Sequence, residues 1–383
     1  MSPSHDFGRF FLPGPTEVHP EVLAAMQRPV IGHRGPEMRE LLERLEPGLQ
    51  ELFGTERPVY LSTSSATGLM ETAIMNLSAT RVLALVCGAF GDRFRAIAER
   101  CGRPVDVIRA DPGEPNTARR LELALADDPG RWDLVTVVHS ETSTGVLNPV
   151  AEIAEAVRRY DDVLLAVDGV TSVGGTPIRF DDWDVDFLLT GSQKAIALPP
   201  GLAFGVASDR ALQRATQIPA RSFYFDLLAF DRRAREYQTT NTPAVSLFYA
   251  LDRQLHRIAT EGLGSRFDRH ASMAARTVEW VDELRANLGS EFGILALPGF
   301  RSPTVTAVTL PESISGTRVV ASVKSRGFTI APGYGELKDR CIRIGHMGDH
   351  TIGELEVLLA VIGEVVGELA SGDVVSMEEG ALR

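Results

Sequence analysis

The segment "LLTGSQKAIALPPG" (188–201) holds a single lysine, Lys194, between an apolar run and two prolines. Lysines mostly lie in water on flexible stems, so this one either extends its amine to the surface or is held for chemistry. Asp168 ends another apolar run, "VLLAVD", 26 residues earlier. A carboxylate there would bind a cationic ring nitrogen, coordinate a metal or cap the following turn. Neither residue decides between these roles alone.

Two further polar segments follow apolar runs. In "STSSATGLMETAIMNL" (62–77), small hydroxyl residues precede a helical pattern. The unpaired N–H groups and positive dipole of such a helix start bind phosphate, although simple capping by Ser or Thr is the alternative. The other segment, "HSETSTGVLNP" (139–149), is either a polar turn or part of a site, and its His139 is equally consistent with a structural role.

Acting together, these groups meet the requirements of pyridoxal phosphate. The amine of Lys194 would form a Schiff base with the aldehyde, and Asp168 would keep the pyridine nitrogen protonated. The helix start after residue 65 would anchor the phosphate. The order and spacing of these groups along the chain therefore predict a pyridoxal-phosphate site.

The elements that must position these groups alternate between short β-rich runs and helical stretches. The runs 81–88, 132–140, 163–170 and 185–192 are apolar nearly throughout. Strands buried on both faces have this composition, so we predict an α/β fold with a mostly parallel sheet between helices. Ligands of such sheets collect beyond the carboxyl ends of the strands, where Asp168 lies.

Outside this sheet the pattern predicts mainly helices and a second domain. Apolar residues from 38 to 53 have helical spacing, although Pro47 should kink or interrupt that helix. Long helical material at 248–289 leads into a smaller C-terminal α/β domain. We expect an N-terminal segment at 1–20, a large cofactor-binding domain at 21–250 and the small domain at 251–383.

Composition limits the classes of function. The 383 residues are 44% hydrophobic and 23% charged, which is typical of a globular protein, and the net charge of −12 opposes binding to nucleic acid. The three cysteines are far apart in sequence, so they predict neither a disulfide framework nor a metal site. The chain has neither a signal-like start nor an apolar run near 20 residues, so we expect a cytoplasmic protein that spans no membrane.

Nearly the full chain resembles the class V aminotransferases of the fold-type-I pyridoxal-phosphate enzymes, particularly the alanine:glyoxylate and serine:glyoxylate group. The similar segments include "PGPTEVHPEVLAAM", "SSATGLME", "CGAFGDRF", "VDGVTSVGGTPI", "TGSQKAIALPPG" and "IRIGHMG". The resemblance implies that Lys194 is the Schiff-base lysine and that Asp168 pairs with the pyridinium nitrogen. It implies further cofactor contacts from Ser65, Ala66, Thr67, Phe90, Thr142, Val170, Gln193, Asn241 and Thr242.

Within this set, the resemblance gives each residue a separate task. Phe90 would stack on the cofactor ring and Val170 would pack on its opposite face. Thr142 would lie near the ring hydroxyl, and Gln193 would contribute to the phosphate site with residues 65–67. The relatives often have Gly where this chain has Ala66, which makes close approach of the phosphate less assured there.

The resemblance also implies a shared site and a substrate-binding arginine. Asn241 and Thr242 would reach the phosphate of the neighbouring subunit in a homodimer, although an Asx-type turn before a helix is the alternative. Arg343, between two isoleucines, would bind the substrate α-carboxylate, with a structural salt bridge as its alternative. Gly14 and Arg34 would also line the substrate site.

The expected reaction is a ping-pong transamination from a small amino acid (alanine, serine or glycine) to a 2-oxo acid such as glyoxylate or pyruvate. His33 or Arg34 could bind a second anionic group, so a phosphonate or an acidic amine stays open as the donor. The alternative role of Arg34 is a surface or interface salt bridge. A cysteine desulfurase needs a reactive cysteine on a mobile loop, and Cys341 lies in an apolar strand-like run instead. A non-catalytic binding protein is disfavoured because both Lys194 and Asp168 are present.

Overall fold

The computed structural model describes residues 7–219 and 221–371. The helices in these residues are α1 (Pro20–Ala25), α2 (Pro36–Phe53), α3 (Ala66–Leu77), α4 (Ala89–Arg100), α5 (Ala118–Asp127), α6 (Val150–Val157), α7 (Asp209–Gln217), α8 (Leu227–Arg235), α9 (Val245–Glu261), α10 (Leu263–Leu288), α11 (Gly316–Ser325) and α12 (Ile352–Ser371). The ends of the expected N-terminal segment and small domain, residues 1–6 and 372–383, lie outside the described residues.

The strands of the described residues form two main sheets and one short two-stranded sheet. They are β1 (Tyr60–Ser62), β2 (Val82–Val86), β3 (Val105–Arg109), β4 (Leu134–Val138), β5 (Ser140–Glu141), β6 (Val146–Leu147), β7 (Leu164–Asp168), β8 (Phe187–Gly191), β9 (Ala203–Ala207), β10 (Gly293–Ile294), β11 (Val305–Thr309), β12 (Ala331–Pro332) and β13 (Cys341–Gly345). The larger sheet has the order β1-β9-β8-β7-β4-β2-β3, and the smaller has the order β10-β11-β13-β12.

The larger sheet is mostly parallel, as the apolar runs predict. Strands β8, β7, β4, β2 and β3 pair in parallel, whereas β9 is antiparallel to both β8 and β1. All residues of β2, β4, β7, β8 and β9 are buried, because helices cover both faces. The carboxyl ends of β1, β2, β4, β7 and β8 therefore lie at one edge, where the candidate residues follow.

The helix predicted around residues 38–53 is α2, but the expected interruption at Pro47 is wrong. The helix runs unbroken from Pro36 to Phe53 with Pro47 inside it. Both Pro47 and Glu43, whose carbonyl loses its helical partner to the proline, are exposed, so water can replace the missing hydrogen bond. The buried face, which includes Leu42, Leu45 and Leu49, keeps its helical spacing.

The long helical stretch at 248–289 is divided at Gly262. This glycine has a φ of +83°, outside the helical region, so α9 ends before it and α10 starts after it. Leu255 and Ile258 of α9 pack in the core beneath the larger sheet. From Met273 onward, α10 packs with α11, α12 and the smaller sheet, in a separate apolar core that also takes up Phe11.

Of the helices in residues 7–219 and 221–371, none is both long enough and apolar enough to cross a bilayer. A search of the same residues for three or more clustered His, Cys, Asp or Glu side chains finds no potential metal site.

Candidate active site

Lys194 is held at the carboxyl edge of the larger sheet with its amine inside the protein. The residue follows β8, and a turn closed by a 2.8 Å hydrogen bond from Ala197 N to Lys194 O fixes its backbone. The side chain is only 6% exposed, and its Nζ donates to Pro13 O. Burial and the positive charge of Arg343 lower the pKa of Lys194 to about 8. The amine is therefore not a snorkelling surface group, and it has a substantial neutral fraction near pH 8.

Asp168 is the last residue of β7, which pairs directly with β8, the strand that precedes the lysine loop. Its Oδ1 accepts a 2.8 Å hydrogen bond from Val170 N, so it also caps the turn that follows the strand. Burial raises the pKa of Asp168 to about 7, with Glu141 adding to the increase and Lys194 opposing it. A cation placed against this carboxylate would stabilise its charged form.

The ring of Phe90 lies close to the amine of Lys194. Phe90 is in the first turn of α4, after β2, and Lys194 Nζ lies 5.6 Å from its ring centroid. The rings of Phe90 and Tyr334 are 6.1 Å apart, between centroids. Val170 is half-buried beside the turn that follows Asp168. The structure thus brings Phe90, Lys194, Asp168 and Val170 to one edge of the sheet.

Glu141 supports this arrangement, and the sequence indicated it only as one member of a polar loop. The carboxylate is fully buried and accepts hydrogen bonds from Phe90 N at 3.1 Å and Gly91 N at 3.0 Å, at the start of α4. It also accepts from Ser143 N at 3.1 Å and Ser143 Oγ at 2.6 Å. Glu141 therefore joins the helix that carries Phe90 to the loop that carries Thr142. The sequence feature that indicates such a role is an acidic residue among small hydroxyl residues directly after a buried strand.

Thr142 and Arg343 connect the two sheets. The Oγ1 atoms of Thr142 and Thr171 lie 2.6 Å apart, and Arg343 Nη1 donates to Thr142 O at 3.2 Å. Arg343 Nε donates to Pro332 O at 2.9 Å. Burial lowers the pKa of Arg343. The guanidinium from β13 of the smaller sheet thus extends to the carboxyl edge of the larger one.

The structural salt bridge considered for Arg343 is not found in the part of the chain that the structure describes. Both of its hydrogen-bond acceptors are backbone carbonyls, and the nearby Glu141 carboxylate is engaged by α4 and Ser143 instead. A buried guanidinium without a direct carboxylate partner is a suitable binding group for an anionic ligand.

The start of α3 lies beside Gln193. Ser65 precedes α3, and Ala66 and Thr67 form its first positions, where backbone N–H groups have no partner within the helix. The Oε1 atom of Gln193 and the Cβ atom of Ala66 both approach Gly191, because a Cβ built on that glycine would lie 2.7 Å and 3.3 Å from them. The expected phosphate site at residues 65–67 and 193 is therefore geometrically compact.

Gly14 lies against the lysine itself. A Cβ built on this residue would overlap with Cδ, Cε and Nζ of Lys194, and its φ of +112° is also one that L side chains rarely adopt. The chain near Gly14 is fixed by hydrogen bonds from Thr16 N to Gln193 O at 2.9 Å and from Thr16 Oγ1 to Lys194 O at 2.9 Å. The N-terminal segment thus covers the lysine loop of the same chain.

Asn241, Thr242 and Arg34 form a separate group. Arg34 donates to Thr239 O at 2.7 Å, and Asn241 and Thr242 lie in the loop that this carbonyl precedes. That loop contacts the β1–α3 connection, where Ala244 N donates to Thr63 Oγ1 at 3.1 Å. Arg34 is exposed, and its hydrogen bonds to this loop and to Gln238 do not connect it to Lys194.

His139 and the cysteines have surroundings that oppose direct chemistry. His139 is buried with its ring edge-on to Trp183, and burial lowers the pKa of His139 to about 4. Burial raises the pKa of Cys87 to about 12 and that of Cys341 to about 11. These thiols are protonated at neutral pH and buried, with Cys87 directly after β2 and Cys341 in β13, unlike a reactive cysteine on a mobile loop. Cys101 is half-buried at the end of α4, and burial also raises its pKa.

Comparison with known proteins identifies the family of the chain. The family model described as aminotransferase class-V matches residues 10–298. An uncharacterized aminotransferase of Methanocaldococcus jannaschii is 39% identical over 91% of this chain and 89% of its own. The alanine–glyoxylate aminotransferase of Oryctolagus cuniculus is 35% identical over 88% of this chain and 86% of its own.

A solved structure extends the similarity to the whole fold. The crystal structure of an alanine–glyoxylate aminotransferase from Nostoc sp. superimposes with a TM-score of 0.87 at 29% identity, covering 96% of this chain and 97% of the other. The chain belongs to the class V aminotransferase family, and its fold is that of the fold-type-I aminotransferases. It is therefore an aminotransferase.

Proposed function

We propose that this aminotransferase uses pyridoxal phosphate to move an amino group from a small uncharged amino acid, of the alanine, serine or glycine type, to a 2-oxo acid such as glyoxylate or pyruvate. The observation that carries the proposal is the buried amine of Lys194 near Asp168, Phe90 and the guanidinium of Arg343. One edge of the larger sheet thus offers a nucleophilic amine, a carboxylate for a cationic ring and a group for a substrate carboxylate.

The described residues fit the cofactor. Burial holds the pKa of Asp168 near 7, and a pyridinium nitrogen would supply the cation that this carboxylate lacks in direct contact. The start of α3 offers unpartnered backbone N–H groups to a phosphate, with Gln193 beside them. Phe90 supplies a ring to stack on. The cofactor, when bound, supplies an electron sink for the negative charge that develops at the substrate α-carbon.

The residues then divide the work of transamination. Arg343 binds the substrate α-carboxylate and so orients the α-carbon towards Lys194. Lys194 Nζ, whose pKa is about 8, takes the proton from that carbon as a general base and returns a proton as a general acid. Phe90 and the N-terminal segment at Pro13 and Gly14 cover the lysine and exclude water. Two such half-reactions, with donor and acceptor in turn, give ping-pong kinetics.

A small uncharged donor is favoured over an acidic amine or phosphonate because Arg34, the group proposed to recognise a second anion, donates to Thr239 O and Gln238. The protonated, buried thiols disfavour a desulfurase.

The remaining assignments concern assembly and location. We propose a homodimer in which Asn241 and Thr242 complete the partner's phosphate site, consistent with their position beside the β1–α3 connection. We propose the same N-terminal, large and small domains, but with the boundary between the large and small domains near Gly262 instead of residue 250, because Leu255 and Ile258 pack in the core of the larger sheet. We also retain a cytoplasmic location and small-molecule substrates, with no nucleic-acid or membrane partner.

The test is a visible absorbance spectrum of the purified protein with pyridoxal phosphate, then with single amino donors and no acceptor. We expect an absorbance band of the Lys194-bound cofactor that bleaches with alanine, serine or glycine and not with 2-aminoethylphosphonate. A band that persists in a Lys194→Ala variant, or bleaching by acidic or phosphonate donors alone, would contradict the assignment. Intersecting double-reciprocal plots would contradict the ping-pong scheme.

A further inference from the structure

One arginine on α10 is buried between the lysine loop and the chain that follows β13. Arg266 is 1% exposed, although a guanidinium is normally kept in water. Its Nη2 donates to Ala195 O at 2.8 Å, and its Nε donates to Gly174 O at 3.3 Å. Ala195 directly follows Lys194, and Gly174 lies in the turn after Asp168 and Val170. Arg266 thus contacts the backbone of the two loops next to the proposed cofactor-binding residues Lys194 and Asp168.

The opposite side of the same guanidinium is bound by carboxylates. Arg266 Nη1 donates to Asp349 Oδ1 at 2.9 Å and to Glu261 Oε2 at 3.0 Å. Asp349 comes four residues after β13, the strand that carries Arg343. Burial raises the pKa of Asp349, but Arg266, Gln254 and Arg257 more than offset this and hold it below its usual value. Arg266 and Asp349 therefore form a charged hydrogen-bonded pair, and every acceptor of Arg266 lies at normal hydrogen-bond distance.

A second contact lies one helical turn further along α10. The two ring nitrogens of His270 each lie 3.0 Å from a carbonyl oxygen, Nδ1 from Gly175 and Nε2 from Gly348. Burial, with Arg266 and Arg269, lowers the pKa of His270 to about 3, so the ring is neutral at pH 7 and donates to one of the two. His270 repeats the pattern of Arg266, since it touches the turn after Asp168 on one side and the chain after β13 on the other.

The lysine loop and the chain after β13 are also in direct contact. Ala195 packs with Met347 and Val305 in a small apolar cluster. A Cβ on Gly348 would lie 3.2 Å from Cβ of Ala197, which itself adopts a φ of +57°. Such close packing allows few alternative arrangements of the lysine loop and the chain after β13. The polar contacts from α10 therefore select among positions of these two segments that differ by fractions of an ångström.

We propose that Arg266, supported by His270, is a positioning residue that fixes the distance and orientation of Lys194 relative to Arg343. The inference rests on the proposed function, because those two residues are assigned there to the cofactor and the substrate carboxylate. Arg266 itself touches neither ligand. Loosening its contacts should misalign a carboxylate held by Arg343 with a cofactor held by Lys194, and a ligand without a carboxylate should be little affected.

The first experiment compares two carbonyl reagents on the cofactor-loaded protein. Aminooxyacetate carries a carboxylate and methoxyamine does not, and both react with the cofactor aldehyde and release Lys194. In the natural protein, we expect aminooxyacetate to react faster, and Arg343→Gln should abolish that preference. In Arg266→Lys, the rate ratio of the two reagents should fall about tenfold, which corresponds to ~1.4 kcal/mol of lost alignment. A ratio equal to that of the natural protein would overturn the inference.

The matched control is Arg276→Lys on the same helix. Arg276 also joins α10 to a neighbouring element, since its Nε donates to Glu356 Oε1 of α12 at 2.6 Å, but it has no contact with the lysine loop. The rate ratio should stay unchanged in this variant. An equal fall in both variants would mean a general loosening of α10 and would also overturn the specific role of Arg266.

A second experiment does not need the cofactor. Amide hydrogen exchange in cofactor-free Arg266→Lys should accelerate at 192–198 and at 346–350, and exchange there should stay unchanged in Arg276→Lys. Unchanged exchange in Arg266→Lys would overturn the inference even if the protein proves not to bind pyridoxal phosphate. Failure to bind the cofactor, with faster exchange at both segments, would instead refute the proposed function and support the contact.

Asp349→Asn provides an independent variant if Arg266→Lys does not fold. It keeps the hydrogen bond from Arg266 to Ala195 O and weakens the charged link to the chain after β13. Its rate ratio should fall in the same direction as that of Arg266→Lys. A ratio equal to that of the natural protein would count against the link through Asp349.

Discussion

The α-carbon of Gly14 lies so close to the side chain of Lys194 that a Cβ at position 14 would overlap Cδ, Cε and Nζ of the lysine. The neighbouring Pro13 accepts a hydrogen bond from the lysine amine through its carbonyl oxygen. The sequence resemblance assigned Gly14 to the substrate site without giving a physical reason. The contact gives a physical reason for a glycine at this position, because a side chain here would overlap the lysine where it is observed.

We therefore expect Gly14→Ala to displace the lysine amine and to weaken cofactor binding at least about tenfold. The affinity for pyridoxal phosphate, measured from the visible absorbance band, gives the result. Gly289→Ala is the control, because Gly289 also has a large positive φ, +127°, but open space around its Cβ position. If both variants lose the same affinity, backbone strain rather than contact with Lys194 is responsible.

Asp168 should make the stability of the cofactor-free protein depend on pH. Its pKa is about 7 in the folded chain against an ordinary value of 3.8, so the folded state binds more protons than the unfolded state between these values. The contribution of Asp168 to stability should therefore fall as pH rises from about 4 to 7, by an amount on the order of a few kcal/mol. Buried histidines such as His139 and His270, whose pKa values are lowered, act in the opposite direction in both proteins. Between pH 5 and pH 8 the natural protein should therefore lose stability relative to Asp168→Asn, as measured by urea unfolding.

Cofactor binding should reverse the penalty, because the cationic ring pairs with the charged carboxylate. Pyridoxal phosphate should then raise the unfolding midpoint of the natural protein at pH 8 more than that of Asp168→Asn. The prediction fails if the two cofactor-free proteins show the same dependence on pH.

Glu141→Gln should cost both stability and cofactor binding. The carboxylate accepts hydrogen bonds from Phe90 N, Gly91 N and Ser143, whereas an amide would present its NH2 group to some of these donors. Leaving buried donors unpaired costs about 1–3 kcal/mol each. The exposed Glu152→Gln in the first turn of α6 should change the free energy of unfolding by less than about 0.5 kcal/mol. Similar losses in both variants would show that Glu141 has no special role.

The sequence predicted the sheet and the positions of its polar strand ends because both depend on local patterns. Nearly continuous apolar runs identified β2, β4, β7 and β8, and the parallel order then placed Asp168 and Lys194 at one edge. Glu141 was indicated only as part of a polar loop, because its partners at the start of α4 are about 50 residues away. The continuation of α2 through Pro47 likewise could not be predicted from local sequence, because it depends on which side of the helix faces water.

Arg266 lay in the predicted helical material, and nothing in its neighbourhood distinguished it from the other arginines of that stretch. Its acceptors, Ala195 O and Gly174 O, are backbone atoms of loops distant in sequence. Contacts of this kind follow from the packing of complete elements, and residue type and spacing do not encode them. The separate location of Arg34 has the same origin, since its acceptor Thr239 O belongs to a loop some 205 residues away.

Arg343 should be important for substrate recognition, and Arg34 should not. Arg343 is buried between the two sheets and is bound only by carbonyls of Thr142 and Pro332 among the described residues, so Arg343→Gln should remove the group for the α-carboxylate. Losing a charged hydrogen-bonding partner costs about 1.5–3 kcal/mol, which raises the half-saturating alanine concentration about 10- to 100-fold.

Arg34→Ala should leave the ratio of alanine to aspartate turnover within about twofold, because its guanidinium is committed to Thr239 O. Half-reaction rates measured with each donor decide the matter. A strong shift of that ratio towards alanine in Arg34→Ala would mean that Arg34 reads an acidic side chain, and the acidic-amine donor would replace the small one.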